Sequence, residues 1–194
     1  QAQTNTADST IKGVVDAWYK TNIEDAGYGS AVSDITFCND RSTTGVGYGS
    51  ASTNYGAYAR MRVGFNGYTG ATPTFKCPQK NDAFTVNDTS KGNGALTYPV
   101  GLITADEIVA AGSGKYITKN TSYYLYRGGS YYYWSLSPYY FGGQGSNVFT
   151  VNVSGMLNSS YVYGGGAVAP VINLSAEYVK TMNGTGTMTD PYQA

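Results

Sequence analysis

The residue types that most often perform catalysis are scarce in this chain. It contains no histidine, so neither a Ser-His-Asp nor a Cys-His arrangement can form, and the usual general base near neutral pH is missing. A glycosidase-type pair of carboxylates is an alternative, but the 12 acidic residues are scattered along the sequence. We therefore expect a protein that is not an enzyme and that needs no cofactor.

The two cysteines, Cys38 and Cys77, stand far apart and form no CxxC motif. Without histidine they cannot complete a zinc site, and Asn39 with Asp40 offers too few oxygen ligands for calcium. No metal site is therefore expected. A disulfide between the cysteines is predicted to stabilise the fold by about 4 kcal/mol in the chain-entropy model, and it indicates an oxidising compartment. Two buried free thiols are the alternative.

The segment between Arg127 and Glu177 contains no charged residue and is rich in Tyr, Ser, Gly and Asn. Tyrosine and tryptophan rings offer large, rigid, amphipathic contact areas, and the small polar residues offer adaptable hydrogen bonds. This mixture is typical of a binding surface. The residues predicted to contact a ligand are Tyr131, Tyr132, Tyr139, Tyr140, Phe141, Asn147, Tyr161 and Tyr163.

Part of this aromatic content is better explained as sheet core. Four residues are assigned to the inward face of β-strands, namely Tyr133, Trp134, Phe149 and Val151. Five tyrosines are interpreted instead as loop residues that favour binding, namely Tyr131, Tyr139, Tyr140, Tyr161 and Tyr163. The segment is therefore expected to supply both a core and an exposed surface.

The charge balance limits the classes of partner. Charged residues make up only 12% of the chain, and 12 basic residues balance 12 acidic ones. Such a surface would neither release counterions from nucleic acid nor bind an anionic membrane. No apolar run approaches the length of a membrane span, and any export signal or anchor is expected to precede Gln1. We expect an extracellular or cell-surface protein that binds a protein or a glycan on another cell or on a phage or host surface, with further copies of itself as another candidate partner.

Two short helices are predicted early in the chain. Apolar residues at positions 11–19 recur at helical spacing after the candidate caps Asp8 and Ser9. A capping box at residues 104–107 begins the second helix, which should end near Gly112.

Polar residues of the first half are given structural roles. Asp40 and Arg41 are interpreted as a buried or half-buried polar pair that anchors the loop after Cys38. Residues 42–56 are rich in Gly, Ser and Thr and are predicted to form a surface loop. Asp106 and Glu107 are interpreted as helix-capping carboxylates.

Beyond Lys115 the sequence alternates β-forming residues with Gly-rich turns. Strands are predicted at residues 124–126, 133–136, 148–151 and 168–174. Because helices precede strands without alternating with them, the pattern favours an α+β fold with a mostly antiparallel sheet in the second half. The length predicts one domain, at residues 9–194, preceded by a polar arm at residues 1–8.

Five phrases of the sequence form a recognisable set: FCNDRS (37–42), LTYPVGLITADEIVAAG (96–112), YWSLSP (133–138), APVINL (169–174) and GTGTMTDPY (184–192). Together they resemble an uncharacterised family of gut-bacterial surface proteins, which is similar in turn to the variable proteins of diversity-generating retroelements. The resemblance covers most of the chain from about Ile11 onward. The chain departs from the family at Ala169, where the phrase usually reads Arg.

The resemblance implies a C-type-lectin-like fold, the type shared with formylglycine-generating enzyme. That enzyme uses a reactive cysteine pair late in its chain, and no cysteine follows Cys77 here, so the fold is expected without the activity. In the variable proteins, rewritten asparagine codons become Tyr, Ser, Gly or Asp at exposed ligand-contacting positions. The composition of residues 130–166 is what such a process would leave.

Two functions from different classes fit these observations. The first is a ligand-binding or adhesive protein whose surface is formed by loops at residues 130–147 and 156–166. The second is a subunit of a pilin-like filament or surface layer, in which the polar arm and the uncharged face pack between copies. Because buried subunit interfaces favour Leu, Ile and Met, whereas this segment favours Tyr, Ser and Gly, binding is the favoured hypothesis.

Overall fold

The computed structural model describes residues 5–45, 52–61, 72–113, 119–143, 145–187 and 189–193. The strands are β1 (Phe37–Cys38), β2 (Thr43–Thr44), β3 (Ser52–Tyr55), β4 (Ala83–Phe84), β5 (Tyr133–Gly142), β6 (Gly145–Val151) and β7 (Leu157–Tyr161). The α-helices are α1 (Thr10–Tyr19), α2 (Gly56–Arg60), α3 (Ala105–Ala110) and α4 (Ala176–Val179). The predicted α+β class, with short helices and antiparallel pairing, is confirmed.

Both predicted helices begin at their predicted caps. The Ser9 side chain accepts a hydrogen bond from the Lys12 N–H at 3.2 Å and starts α1. In α3, the Thr104 hydroxyl accepts from the Glu107 N–H while the Glu107 carboxylate accepts from the Thr104 N–H, which completes the capping box. Gly112, with φ of 105°, then turns the chain away from the helix. The sequence predicts these caps because the residues that hydrogen-bond in each one lie within four positions of each other.

The main sheet has five strands in the order β2-β3-β5-β6-β7, and β1 pairs separately with β4. The prediction of a surface loop at residues 42–56 is wrong for the described part, because β2 and β3 both belong to this sheet. Thr53 and Tyr55 are buried there. The short polar sequence of β3 has no apolar alternation that would predict a strand, and its pairing with β5 is what orders it.

The long hairpin β5–β6 separates two apolar clusters. Successive strand residues point to opposite faces, so Tyr133 packs in one cluster with Phe149 and Val151, whereas Trp134 packs in the other with Val15 of α1. All four residues assigned to the core from the sequence are buried. The hairpin is therefore the middle layer of the fold.

Two predicted strands are wrong. Residues 124–126 form a turn in which Tyr124 is exposed and Leu125 is buried. Residues 168–174 make only isolated bridges, from Val171 to Gly101 and from Leu174 to Val32. The β-branched residues of that segment cross other parts of the chain and do not extend the sheet.

Candidate ligand-binding surface

Strands β5, β6 and β7 bring three predicted ligand-binding residues into one transverse row. Tyr140 pairs with Asn147, and Asn147 pairs with Tyr161. On β3, Asn54 pairs with Tyr140 and extends the row. Directly opposed residues of antiparallel strands lie on the same face. We call Asn54, Tyr140, Asn147 and Tyr161, together with Tyr163, which stacks on Tyr161, the Tyr–Asn surface.

An exposed aromatic pair ends this row. The rings of Tyr161 and Tyr163 stack with their centroids 5.0 Å apart and their planes 12° apart. Tyr161 is 38% exposed and Tyr163 is 71% exposed. Since no charged residue occurs between Arg127 and Glu177, the pair offers a flat, uncharged platform with hydroxyl groups at its rim.

Asn147 places a polar group in the middle of the row. The backbone N–H of Val162 donates to the Ser146 carbonyl at 3.0 Å, so the neighbouring pair, Asn147 and Tyr161, is of the type whose side chains approach more closely. The Asn147 side-chain oxygen is buried and accepts no hydrogen bond from any residue that the structure describes. A buried acceptor in this state costs about 1–3 kcal/mol of stability.

The interpretation of Tyr139, Tyr140 and Tyr161 as loop residues is wrong, because all three lie in strands. A β-bulge between Pro138 and Tyr140 places two residues of β5 opposite one of β6. The Tyr139 ring meets Phe149 edge-on at 5.0 Å and packs against the main apolar cluster. Tyr139 therefore contributes to the core.

Tyr140 and Phe141 are half-buried on the sheet. A Cβ added at Gly142 would lie 2.5 Å from ring atoms of Tyr140, so the glycine makes room for this ring beside the strand. Phe141 pairs with Thr53 and Ser146, one position further along β5 than the Tyr–Asn surface.

The remaining two predicted residues lie apart from the row. Tyr132 packs edge-on against Trp134 at 5.1 Å, and its hydroxyl accepts a hydrogen bond from the Ser160 side chain at 3.0 Å. Ser160 precedes Tyr161 in β7, so its side chain lies on the opposite face of the sheet. Tyr131 is 73% exposed in the segment before β5.

Sequence reasoning missed Asn54 and Ser160 as neighbours of the predicted residues. Asn54 lies in a polar strand that carried no strand signal. Ser160 lies in the segment that was singled out, but only the pairing of β6 with β7 places it beside Tyr132. No local pattern encodes either contact.

Strand β7 forms one edge of the sheet, and several of its outward backbone groups are occupied. The N–H of Leu157 donates to the Ser113 hydroxyl at 2.9 Å, and the N–H of Ser159 donates to the Asn158 side chain at 2.8 Å. The Tyr161 carbonyl accepts from the Gly164 N–H at 2.9 Å. These contacts oppose the addition of another strand at this edge.

The first half of the molecule, residues 5–113, contains buried ion pairs, whereas the sheet segment between Arg127 and Glu177 contains no charged residue. Arg60 binds Asp106 through two hydrogen bonds of 3.0 and 2.9 Å, and its Nη2 lies 2.8 Å from the Asp40 carboxylate. Arg41 donates to Asp82 through its backbone N–H at 2.9 Å and its Nε at 2.6 Å. Asp40 and Arg41 are buried and half-buried as predicted, and Asp40 accepts the Ser42 N–H at 3.0 Å in the loop after Cys38. Their ionic partners, however, are more distant residues, Arg60 for Asp40 and Asp82 for Arg41.

Asp106 also differs from its predicted role. Besides Arg60 it accepts the Thr74 N–H at 2.8 Å, and it is 4% exposed. Glu107 alone makes the predicted cap. Asp106 ties α3 to α2 and to the segment that follows residue 72.

The predicted disulfide between Cys38 and Cys77 is confirmed, with a Cα–Cα distance of 5.6 Å. It ties β1 to the segment that leads into β4. Within the described residues, no group of three or more His, Cys, Asp or Glu side chains is placed to hold a metal ion. None of the helices in the described part of the chain is long and apolar enough to cross a membrane.

Comparison of the chain with models of known families, with curated protein sequences and with solved structures finds no match. The functional argument therefore depends on the surface itself.

Proposed function

We propose that this protein is an extracellular or cell-surface ligand-binding protein, built on a C-type-lectin-like domain, that binds a protein or a glycan through its Tyr–Asn surface. The disulfide supports an oxidising location. The absence of charge between Arg127 and Glu177 favours a ligand recognised by ring contacts and neutral hydrogen bonds.

The observation that carries the proposal is the side-chain oxygen of Asn147, which accepts no hydrogen bond from any described residue. In the sheet, Asn147 lies between its two cross-strand neighbours, Tyr140 on β5 and Tyr161 on β7. Most buried polar oxygens in folded proteins are paired, so an unpaired neutral oxygen between two tyrosines supports a role in binding. Because this oxygen is buried, a hydrogen-bond donor on a ligand would pair it once a neighbouring side chain moves aside. The stacked rings of Tyr161 and Tyr163 are already exposed and provide contact area. A buried polar group that lacks a hydrogen bond, with no evident benefit to folding, is typical of functional sites.

The alternative role, as a filament or layer subunit, is less well supported. The occupied backbone groups of β7 oppose strand-by-strand growth. Light scattering and electron microscopy of the native protein distinguish the two roles. We expect a monomer or a small oligomer with its tyrosines free, and long ordered polymers would favour the subunit role.

Array binding tests the proposal. Labelled protein is applied to glycan and extracellular-protein arrays, together with the Tyr161→Ala/Tyr163→Ala double variant and with Tyr28→Ala, which removes an exposed tyrosine outside the surface. Wild type and Tyr28→Ala should bind the same partner, and the double variant should bind at least about ten-fold more weakly. Equal binding by the double variant would contradict the proposal.

A further inference from the structure

A second concave site lies in the first half of the protein. Residues 5–9 and the start of α1 line a groove of about 730 Å³, together with Asn81, Phe84 and residues between Asn93 and Leu96. Its lining includes the half-buried residues Phe84 and Leu136. This volume lies within the usual range for small-molecule sites, and none of its lining residues belongs to the Tyr–Asn surface.

Four asparagines line this arm groove. The side-chain amides of Asn5 and Asn93 both donate to the backbone carbonyl of Asn81. The Asn39 backbone N–H donates to the Asp82 carbonyl at 2.9 Å, which places Asn39 across the β1–β4 ladder from this cluster. The side-chain amides of Asn39 and Asn81 make no hydrogen bond to any residue that the structure describes.

The groove is close to neutral. Of the two charged residues that line it, Lys12 is paired with Asp16, and Asp8 lies exposed on the arm. An ionic ligand would therefore find little charge complementarity here. Each free amide offers both donors and an acceptor, and the Phe84 ring offers an apolar face.

A peptide strand is a poorer fit than a small molecule. The outer backbone groups of β4 and of the residue after it are already occupied. The Ala83 carbonyl accepts from the Asn93 N–H at 2.8 Å, and the Thr85 carbonyl accepts from the Leu96 N–H at 3.0 Å. An extended peptide bound at a sheet edge needs such groups to be free.

We propose that the arm groove binds a neutral saccharide of one or two rings. Vicinal hydroxyls pair with the amides of Asn39 and Asn81, and the C–H face of the sugar packs on Phe84. The site is separate from the Tyr–Asn surface, so the proposal stands independently of the ligand of that surface.

Titration of the ¹⁵N-labelled protein tests this assignment. The probes are maltose, cellobiose, lactose and diacetylchitobiose, each at up to about 10 mM, with an acetylated leucine-serine hexapeptide for comparison. At least one disaccharide should shift the side-chain amide signals of Asn39 and Asn81. Asn39→Ala/Asn81→Ala should weaken this binding at least about ten-fold, whereas Asn87→Ala, which removes an exposed asparagine outside the groove, should leave it unchanged.

Disaccharide binding at the arm groove should persist in the Tyr161→Ala/Tyr163→Ala variant. This result would show that the groove and the Tyr–Asn surface bind independently. The assignment is overturned if no disaccharide moves these signals, if only the hexapeptide does, or if the asparagine double variant binds as the wild type. Equal melting temperatures of the three variants and the wild type ensure that a loss of binding is not a loss of folding.

Discussion

The first half of the molecule, residues 5–113, and the sheet segment between Arg127 and Glu177 differ in their use of charge. In the first half, Arg60 joins two buried carboxylates, and a disulfide ties β1 to a neighbouring segment. Between Arg127 and Glu177 charge is absent, and Asn147 holds a buried oxygen that no described residue pairs. The difference teaches that charged pairs and a disulfide order the first half, whereas the segment between Arg127 and Glu177 is ordered by neutral packing and hydrogen bonds. Substitutions in the two halves should therefore have different effects on stability.

The largest effect is expected for Arg60→Ala. It would leave Asp40 and Asp106 buried without their cation, so the free energy of unfolding should fall by about 3–5 kcal/mol. Urea denaturation measures the change. Lys180→Ala, which breaks the exposed pair with Glu177, is the control and should cost less than about 0.5 kcal/mol. Similar losses for both variants would mean that Arg60 does not organise the first half.

Removal of the disulfide should have the next largest effect. Cys38→Ser/Cys77→Ser relaxes a constraint across a sequence separation of 39 residues, and stability should fall by about 2–4 kcal/mol. Reduction of the wild type should give the same loss, and intact-mass analysis should show two added hydrogens. Unchanged stability after confirmed reduction would argue against a structural disulfide.

Two tyrosines of the sheet half provide a matched pair. Tyr139→Ala removes a ring that packs on Phe149 and should cost about 2–3 kcal/mol. Tyr163→Ala removes a ring that is 71% exposed and should cost less than about 0.5 kcal/mol. Thermal unfolding of both variants measures the contrast. If Tyr163→Ala were the costlier change, the Tyr–Asn surface would have to be regarded as core.

A smaller effect with a defined pH dependence is expected at Asp34. Burial acts to raise the pKa of this carboxyl, but hydrogen bonds from the N–H groups of Val86, Asn87 and Asp88 together hold it below its ordinary value of 3.8. The stabilisation is therefore complete above about pH 4 and is lost as pH falls through the lowered pKa.

At pH 7, Asp34→Ala should cost about 1–2 kcal/mol. The difference from the wild type should shrink below about pH 4, as measured by urea denaturation across the pH range. A difference that grows on acidification would have the wrong sign for a carboxylate that is stabilised in its charged form.

The sequence predicted features whose interacting residues are close in the chain, and it predicted the disulfide because the chain has only two cysteines. The caps at Ser9 and Thr104, and the core positions Tyr133 and Phe149, follow from local spacing and alternation. The pairing of Cys38 with Cys77 followed because no other cysteine exists.

Features set by distant contacts were missed. Strand β3 has no apolar alternation and is ordered by β5. Arg41 pairs with Asp82 rather than with its neighbour Asp40, because folding brings together residues that are remote in sequence. The environment of the Asn147 oxygen is set by three strands, β5, β6 and β7. The sequence therefore predicts Asn147 as a ligand-contacting residue, but it does not predict that the oxygen lacks a hydrogen bond.

The smallest expected change in stability is at Asn147 itself. Asn147→Leu removes an unpaired buried oxygen, so the free energy of unfolding should stay within about 0.5 kcal/mol of the wild type or rise. Asn152→Leu is the matched control, because the Asn152 oxygen accepts the N–H groups of Ser154 and Met156. That variant should lose about 1–3 kcal/mol. Equal losses would indicate that Asn147 is structural.

The central claim is tested most directly by the array signal of Asn147→Leu beside that of the wild type. If the Tyr–Asn surface binds a ligand through this oxygen, the folded variant should lose at least about ten-fold in binding to the partner that the wild type recognises. Undiminished binding by the variant would contradict the account, because the oxygen would then have no role in either folding or recognition.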